Sequence, residues 1–224
     1  MNDKVINKKS FLSQVTEIIK TNLRNIIILL SLCFVLFLAY QIYSFYISNK
    51  IQKNSISFFS VQNTDDTNVI TDTITKLSDN NTFYGVLAKL ELIELNLKQN
   101  NIQDSISMYL EVINQNNLDS VYKSAIASKA AYQLIDINFK DLSLDYLNII
   151  NDFISYIDDE TDSYKGIKLE LEYLTKILEA EKNSIDYSSF NEVNDIYENI
   201  MNSDVVSSAI KERVNKIHEF YSNK

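Results

Sequence analysis

The chain has 224 residues and a formal net charge of −9, with 46% hydrophobic residues, two glycines, one cysteine, one histidine, and neither proline nor tryptophan. Two distant glycines, Gly85 and Gly166, cannot write a G-x-G-x-x-G or G-x-x-x-x-G-K phosphate loop, and Cys33 alone forms no intrachain disulfide. With His218 the sole imidazole, a histidine-rich metal site is excluded, and the acidic balance does not suit nucleic acid, which recruits clustered Lys and Arg.

Residues 1–24 form a basic lead. Lys4, Lys8, Lys9, Lys20 and Arg24 face only Asp3 and Glu17. Phe11, Leu12, Val15, Ile18, Ile19 and Leu23 have helical spacing, so the lead is expected to lie along the cytoplasmic membrane face as an amphipathic stretch. Residues 25–47 read as a transmembrane helix. From Ile26 to Ile47 no residue is charged. At about 1.5 Å per residue this run covers roughly 33 Å, enough for a ~30 Å hydrocarbon core. Tyr40, Tyr43 and Tyr46 gather at its exit, as interfacial aromatics do. The basic lead places the N-terminus in the cytoplasm by the positive-inside rule. A cleaved signal peptide is the competing reading. It needs a shorter apolar core and a small-x-small exit, whereas this run leaves through Tyr43-Ser44-Phe45-Tyr46. Ser31, Val35 and Ala39 share one face of the span and are a candidate helix-association seam; Cys33 reads as lipid-facing or packed.

Residues 48–224 carry 16 basic against 28 acidic residues and are long enough for one extracytoplasmic domain with a real core. Their pattern is helical almost throughout. Ile51–Leu77 supplies a first, degenerate pair, with Phe58, Phe59 and Val61 and then Val69, Ile70, Ile74 and Leu77. Phe83–Leu97 and Ile102–Ile113 follow, punctuated by Asn100-Asn101. Tyr122–Ile135 and Leu142–Ile154 come next, then Ile167–Leu178, Phe190–Ile200 and Val206–Tyr221. Ser105, Tyr109 and Val112 correspond to Ser143, Leu147 and Ile150, thirty-eight residues on. A period in the thirties built from helical pairs predicts an all-α fold, a tetratricopeptide-like α-solenoid of hairpins after one transmembrane helix.

No catalytic, cofactor-binding or metal-ligating set emerges. Asp158, Asp159, Glu160 and Asp162 lack the glycine and ligand spacing of an EF-hand and read as a solvated turn. His218, with Glu219 beside it, has no nucleophile placed by spacing and reads as a helix residue. Lys89, Asn96, Lys129 and Gln133 are polar positions on first helices of the expected pairs and are the candidate lining of a partner groove. No enzymatic activity, no cofactor and no small-molecule substrate are expected.

Tyr84-Gly85-Val86-Leu87-Ala88 is placed like a Y-x-x-L-A helix opening. Asn100-Asn101-Ile102 stands where a Gly-Asp turn is usual, and Asp204–Val214 reads like a closing helix without its customary proline. With the basic lead and single span, this order resembles the ancillary subunit family of the SecYEG translocon. The resemblance implies a protein-binding scaffold tethered to the bacterial inner membrane, with its helical domain in the periplasm. Its implied partners are translocon subunits, periplasmic chaperones and emerging chains. The alternative is a scaffold of another envelope or cell-division complex that uses the same repeats.

Overall fold

A computed structural model describes the backbone of residues 3–61, 63–64, 66–80, 82–116, 118–158, 162–185 and 191–223. Side-chain surroundings are described for residue 16 and, within those ranges, from residue 20 onward except residue 162. The side chains of the expected lead stripe before Leu23, residues 159–162 of the acidic turn, and Phe190 lie outside the described set.

Among the described residues every regular element is helical: α1 (Asp3–Val61), α2 (Thr67–Ser78), α3 (Phe83–Lys98), α4 (Ile102–Ile113), α5 (Ser120–Lys140), α6 (Leu147–Ser155), α7 (Asp162–Lys182), α8 (Asn191–Asn202) and α9 (Ser208–Ser222). The chain divides into two compact units, Met1–Gly85 and Val86–Lys224.

In the first unit α1 runs without a break through the apolar segment and fourteen residues past Ile47. The window that qualifies as a membrane span, within Lys20–Val61, has mean hydropathy 2.5, and none of it is buried by protein. Phe34, Tyr40, Tyr43 and Tyr46 are among the large side chains it leaves exposed. One helix near the N-terminus is therefore long and apolar enough to cross a membrane. Beyond it, Phe58 and Val61 are buried, as are Ile74 and Leu77 of the neighbouring α2. Asp66 caps α2 by accepting from the amides of Asn68 and Val69. Asn54 Nδ2 donates to Thr82 Oγ1 at 3.0 Å, and Tyr84 sits against Phe58 and Phe59. Gly85 is required by the chain reversal before α3: a Cβ there would stand 1.8 Å from the Asn80 carbonyl oxygen.

The second unit has two neighbouring cores. One gathers Ile93, Tyr109, Val112, Ile113, Ala130, Leu134, Ile150, Phe153, Leu171 and Leu178. The other gathers Tyr173, Ile177, Val193, Ile200, Val206, Ile210 and Val214. From α4 onward each helix packs on the next, and α5 also packs on α7, and α7 on α9. Helix ends follow local chemistry. Asp119 and Ser207 cap α5 and α9 through their side-chain oxygens. α3 and α7 close on residues in the left-handed region, Asn100 at φ 62° and Ser184 at φ 52°. The amides that follow, of Asn101 and Ile185, reach back five residues to the carbonyls of Asn96 and Ala180 at 2.8 and 2.9 Å. Asn100 thus performs the turn for which glycine is the usual residue.

The sixth helix departs from the expected pattern. It begins at Leu147, five residues after Leu142, because the Asp141 carboxylate accepts from both the amide and the hydroxyl of Ser143 and ties that segment into a turn. Ser143 is consequently exposed outside the helix, while Ser105, its counterpart by spacing, is buried on α4 and donates to the Asn101 carbonyl.

Candidate functional site

The second unit contains a polar seam that joins alternate helices. On α3, Glu94 accepts from Lys129 Nζ at 2.7 Å and from Gln133 Nε2 at 2.9 Å, both on α5. Gln133 Oε1 in turn accepts from the buried Tyr109 hydroxyl of α4. Further along, Tyr132 of α5 donates to Glu170 of α7 at 2.7 Å, and Arg213 of α9 forks onto the same carboxylate. The three crossings, 94 to 133, 132 to 170 and 170 to 213, fall at separations of 39, 38 and 43 residues.

Physical chemistry explains why these groups stay inside. Glu94 is held below the usual carboxylate range chiefly by the Lys129 hydrogen bond, with burial opposing it. Burial pushes the Tyr109 and Tyr132 phenols up, and the neighbouring carboxylates Glu94 and Glu170 add to the shift, so both donate as neutral hydroxyls. The Glu170 side chain is 3% exposed, so it needs the partners that Arg213 and Tyr132 supply.

The four residues expected to line a partner groove are therefore already engaged within the domain. Lys129 and Gln133 meet on Glu94. Lys89 is buried and pairs with Glu111, and Asn96 lies 3.3 Å from the Met108 sulfur. Of the two lysines, Lys129 has the more open side chain, 45% exposed against 10% for Lys89. Ser31, Val35 and Ala39 are all exposed on α1 with no protein packed on them.

His218 is built into the end of the unit. Its ring stacks on Tyr197 of α8 with centroids 3.8 Å apart and planes 11° from parallel. Its Nδ1 lies 3.3 Å from the Tyr173 hydroxyl of α7. Burial lowers its pKa, and Glu219 counters in part. Among the described residues no group of three or more His, Cys, Asp or Glu side chains could hold a metal ion.

Clefts remain open between the described helices. An apolar groove of about 340 Å³ is lined by Tyr132, Ile135 and Phe139 of α5, Leu174 of α7, and Ile217 and Tyr221 of α9, with Asp136 at its edge. A polar cleft of about 390 Å³ lies between α6, α7 and α8. Spacing alone did not single out this second cleft, although its signal is in the sequence: Glu172, Thr175, Lys176 and Glu179 recur at i, i+3, i+4 and i+7 and so make one polar face of α7.

No family model, curated protein or solved structure matches this chain.

Proposed function

We propose that this protein is a membrane-tethered, non-catalytic scaffold that binds other proteins. In this reading the N-terminus is cytoplasmic and the helical domain stands in the periplasm of a bacterium, on the outer side of the inner membrane. The observation that carries it is α1, one unbroken helix that bears an apolar, unburied segment and continues into the hairpin with α2. Such a helix fixes the folded part close to a bilayer without any further anchor.

The repeated crossings of the second unit support a solenoid of tetratricopeptide type. Alternate helices α3, α5, α7 and α9 meet in turn at separations near forty residues, as the first helices of successive hairpins would. Stacked hairpins offer partners a long surface, and a surface serving many chains binds each of them weakly. The non-catalytic assignment draws on His218, whose ring is taken up by Tyr173 and Tyr197. On the resemblance of its sequence, we assign the site of action to the SecYEG translocon, with translocon subunits, periplasmic chaperones and emerging chains as partners.

Crosslinking in intact membranes through Lys129, followed by mass spectrometry, tests the assignment. Capture of translocon subunits or envelope chaperones is expected. Capture of division or other envelope-complex proteins in their place would move the scaffold to the alternative site. For topology, a reporter after Lys224 should read the translocated side and the protein should retain Met1–Arg24. A processed N-terminus near Ser44–Ser48 would defeat the anchor.

A further inference from the structure

We infer that α1 pairs in parallel with α1 of a second copy of this chain, along one face that runs out of the membrane. Ser31, Leu38, Phe45, Gln52 and Phe59 recur every seven residues. Val35, Ile42, Asn49 and Ile56 stand between them at the same interval. This alternation of four and three holds for four heptads, from Ser31 to Phe59, and lies wholly within the unbroken helix. A straight helix drifts by about 20° per heptad against such a pattern, so a gentle left-handed supercoil keeps the strip on its partner. Ser31 and Val35 of the candidate seam belong to the strip and Ala39 flanks it, whereas Cys33 falls on the other side of the helix.

The fold of the first unit leaves this strip open. α2 packs on the opposite side of α1, where Asn54, Phe58 and Val61 are buried, whereas Ile56 is 63% and Phe59 50% exposed. In a bilayer, lipid covers Val35, Ile42 and Phe45 within the apolar run, but it does not reach the far end. Ile56 and Phe59 stand nine and twelve residues past Ile47, roughly 13–18 Å along the axis. The headgroup layer extends only roughly 5–8 Å beyond the hydrocarbon on each side. Large apolar side chains therefore continue the membrane face into water. Between the two stretches, the partly buried Asn49 makes no side-chain hydrogen bond with another described residue.

The pattern selects the occupant. β-Branched Val35, Ile42 and Ile56 alternate with Leu38, Phe45 and Phe59, the arrangement that favours two parallel strands. A lone Asn in the β-branched series, here Asn49, fixes register and strand number. Copies inserted in one orientation and at one depth bring each residue opposite its own counterpart. Asn49 then meets the partner's Asn49, and Gln52 the partner's Gln52, amide to amide. Charge agrees. The chain carries −9 overall, which sets copies against one another, yet no Asp or Glu lies between Glu17 and Asp65. The strip itself holds no charged residue. This inference rests on the anchored part of the proposed function and adds that the scaffold stands in pairs.

The test is disulfide trapping of the full chain in intact membranes, with C33S as the background. Under mild oxidation C33S/Q52C and C33S/I56C should run at twice the monomer mass on a non-reducing gel. Ile51 is also exposed but lies off the strip, so C33S/I51C should trap roughly fivefold less. I56E alters an exposed position and sets two carboxylates face to face, so it should lower trapping through Q52C by a similar factor. Helicity by circular dichroism confirms that each variant is folded. Equal trapping at Ile51, no trapping at Gln52 or Ile56, trapping indifferent to I56E, or trapping of Q52C onto a different protein would overturn the pairing. If the chain keeps its N-terminus and stays in the membrane without pairing, this inference falls and the anchor stands. If pairing holds while Lys129 captures no other protein, the scaffold reading falls and the pairing stands.

Discussion

Arg213 on α9 holds Glu170 on α7 through two parallel hydrogen bonds, Nε to Oε1 at 2.9 Å and Nη2 to Oε2 at 2.7 Å. The partners are unequal. Glu170 is almost wholly removed from water, whereas Arg213 is 55% exposed. The fork thus supplies charge and geometry from the solvent side to a carboxylate that cannot be hydrated, and Tyr132 from α5 completes it.

Removing the guanidinium should therefore cost more than an exposed ion pair does. R213A is expected to destabilise the docking of α9 by about 2–4 kcal/mol, because it strands a buried carboxylate. R213K should lose less, keeping the charge without the fork. Replacing both partners, as in E170L/R213L, should recover part of the loss. Hydrogen exchange of the α9 amides in the full chain measures each. Unchanged protection in R213A would remove this pair from the forces holding α9.

His218 should make the same helix sensitive to acid. Tyr173 from α7 and Tyr197 from α8 face it, with Glu219 beside it on its own helix. Burial lowers its folded pKa, so the folded state binds fewer protons than the unfolded chain, whose imidazole titrates near about 6.5. The stabilisation is complete above that value and declines as pH falls through it toward the lower folded pKa. H218F keeps a ring on Tyr197 and cannot titrate. The difference in melting temperature between pH 7.5 and 5 should be smaller in H218F than in the unaltered chain, and equal differences would contradict the linkage.

The left-handed helix ends predict stabilising substitutions. Asn tolerates positive φ better than Ser does, and glycine tolerates it best. S184G should gain roughly 1 kcal/mol and N100G less, since Asn100 already suits its position. Thermal unfolding of the two variants checks the order. A larger gain at Asn100 would mean that Ser184 is compensated elsewhere.

Within the seam, Gln133 should matter more than Lys129. Q133L leaves the buried Tyr109 hydroxyl without its acceptor and Glu94 without one donor, a loss of about 1–3 kcal/mol. K129A removes a half-exposed ion pair worth at most about 1 kcal/mol. Denaturant midpoints distinguish them. Equal effects would mean that Glu94 depends on charge alone.

The sequence by itself determined the helices and the apolar run. Hydropathy over Ile26–Ile47 and the spacing of residues such as Ile102, Ile106, Tyr109 and Ile113 are local properties, legible without knowing any neighbour. Local chemistry also overrode spacing once: the Asp141 carboxylate holds Ser143 in a turn and delays α6 to Leu147. Tertiary structure alone decided what each polar side chain meets. Lys129 and Gln133 were legible as one polar face of a helix, but the carboxylate that joins them, Glu94, lies 39 residues from Gln133. The Glu170–Arg213 fork spans 43 residues, and its partners come together only because α7 and α9 pack side by side. Periodicity shows which face a helix buries; the partner on that face is set by how distant helices stack, and no single stretch of sequence contains that.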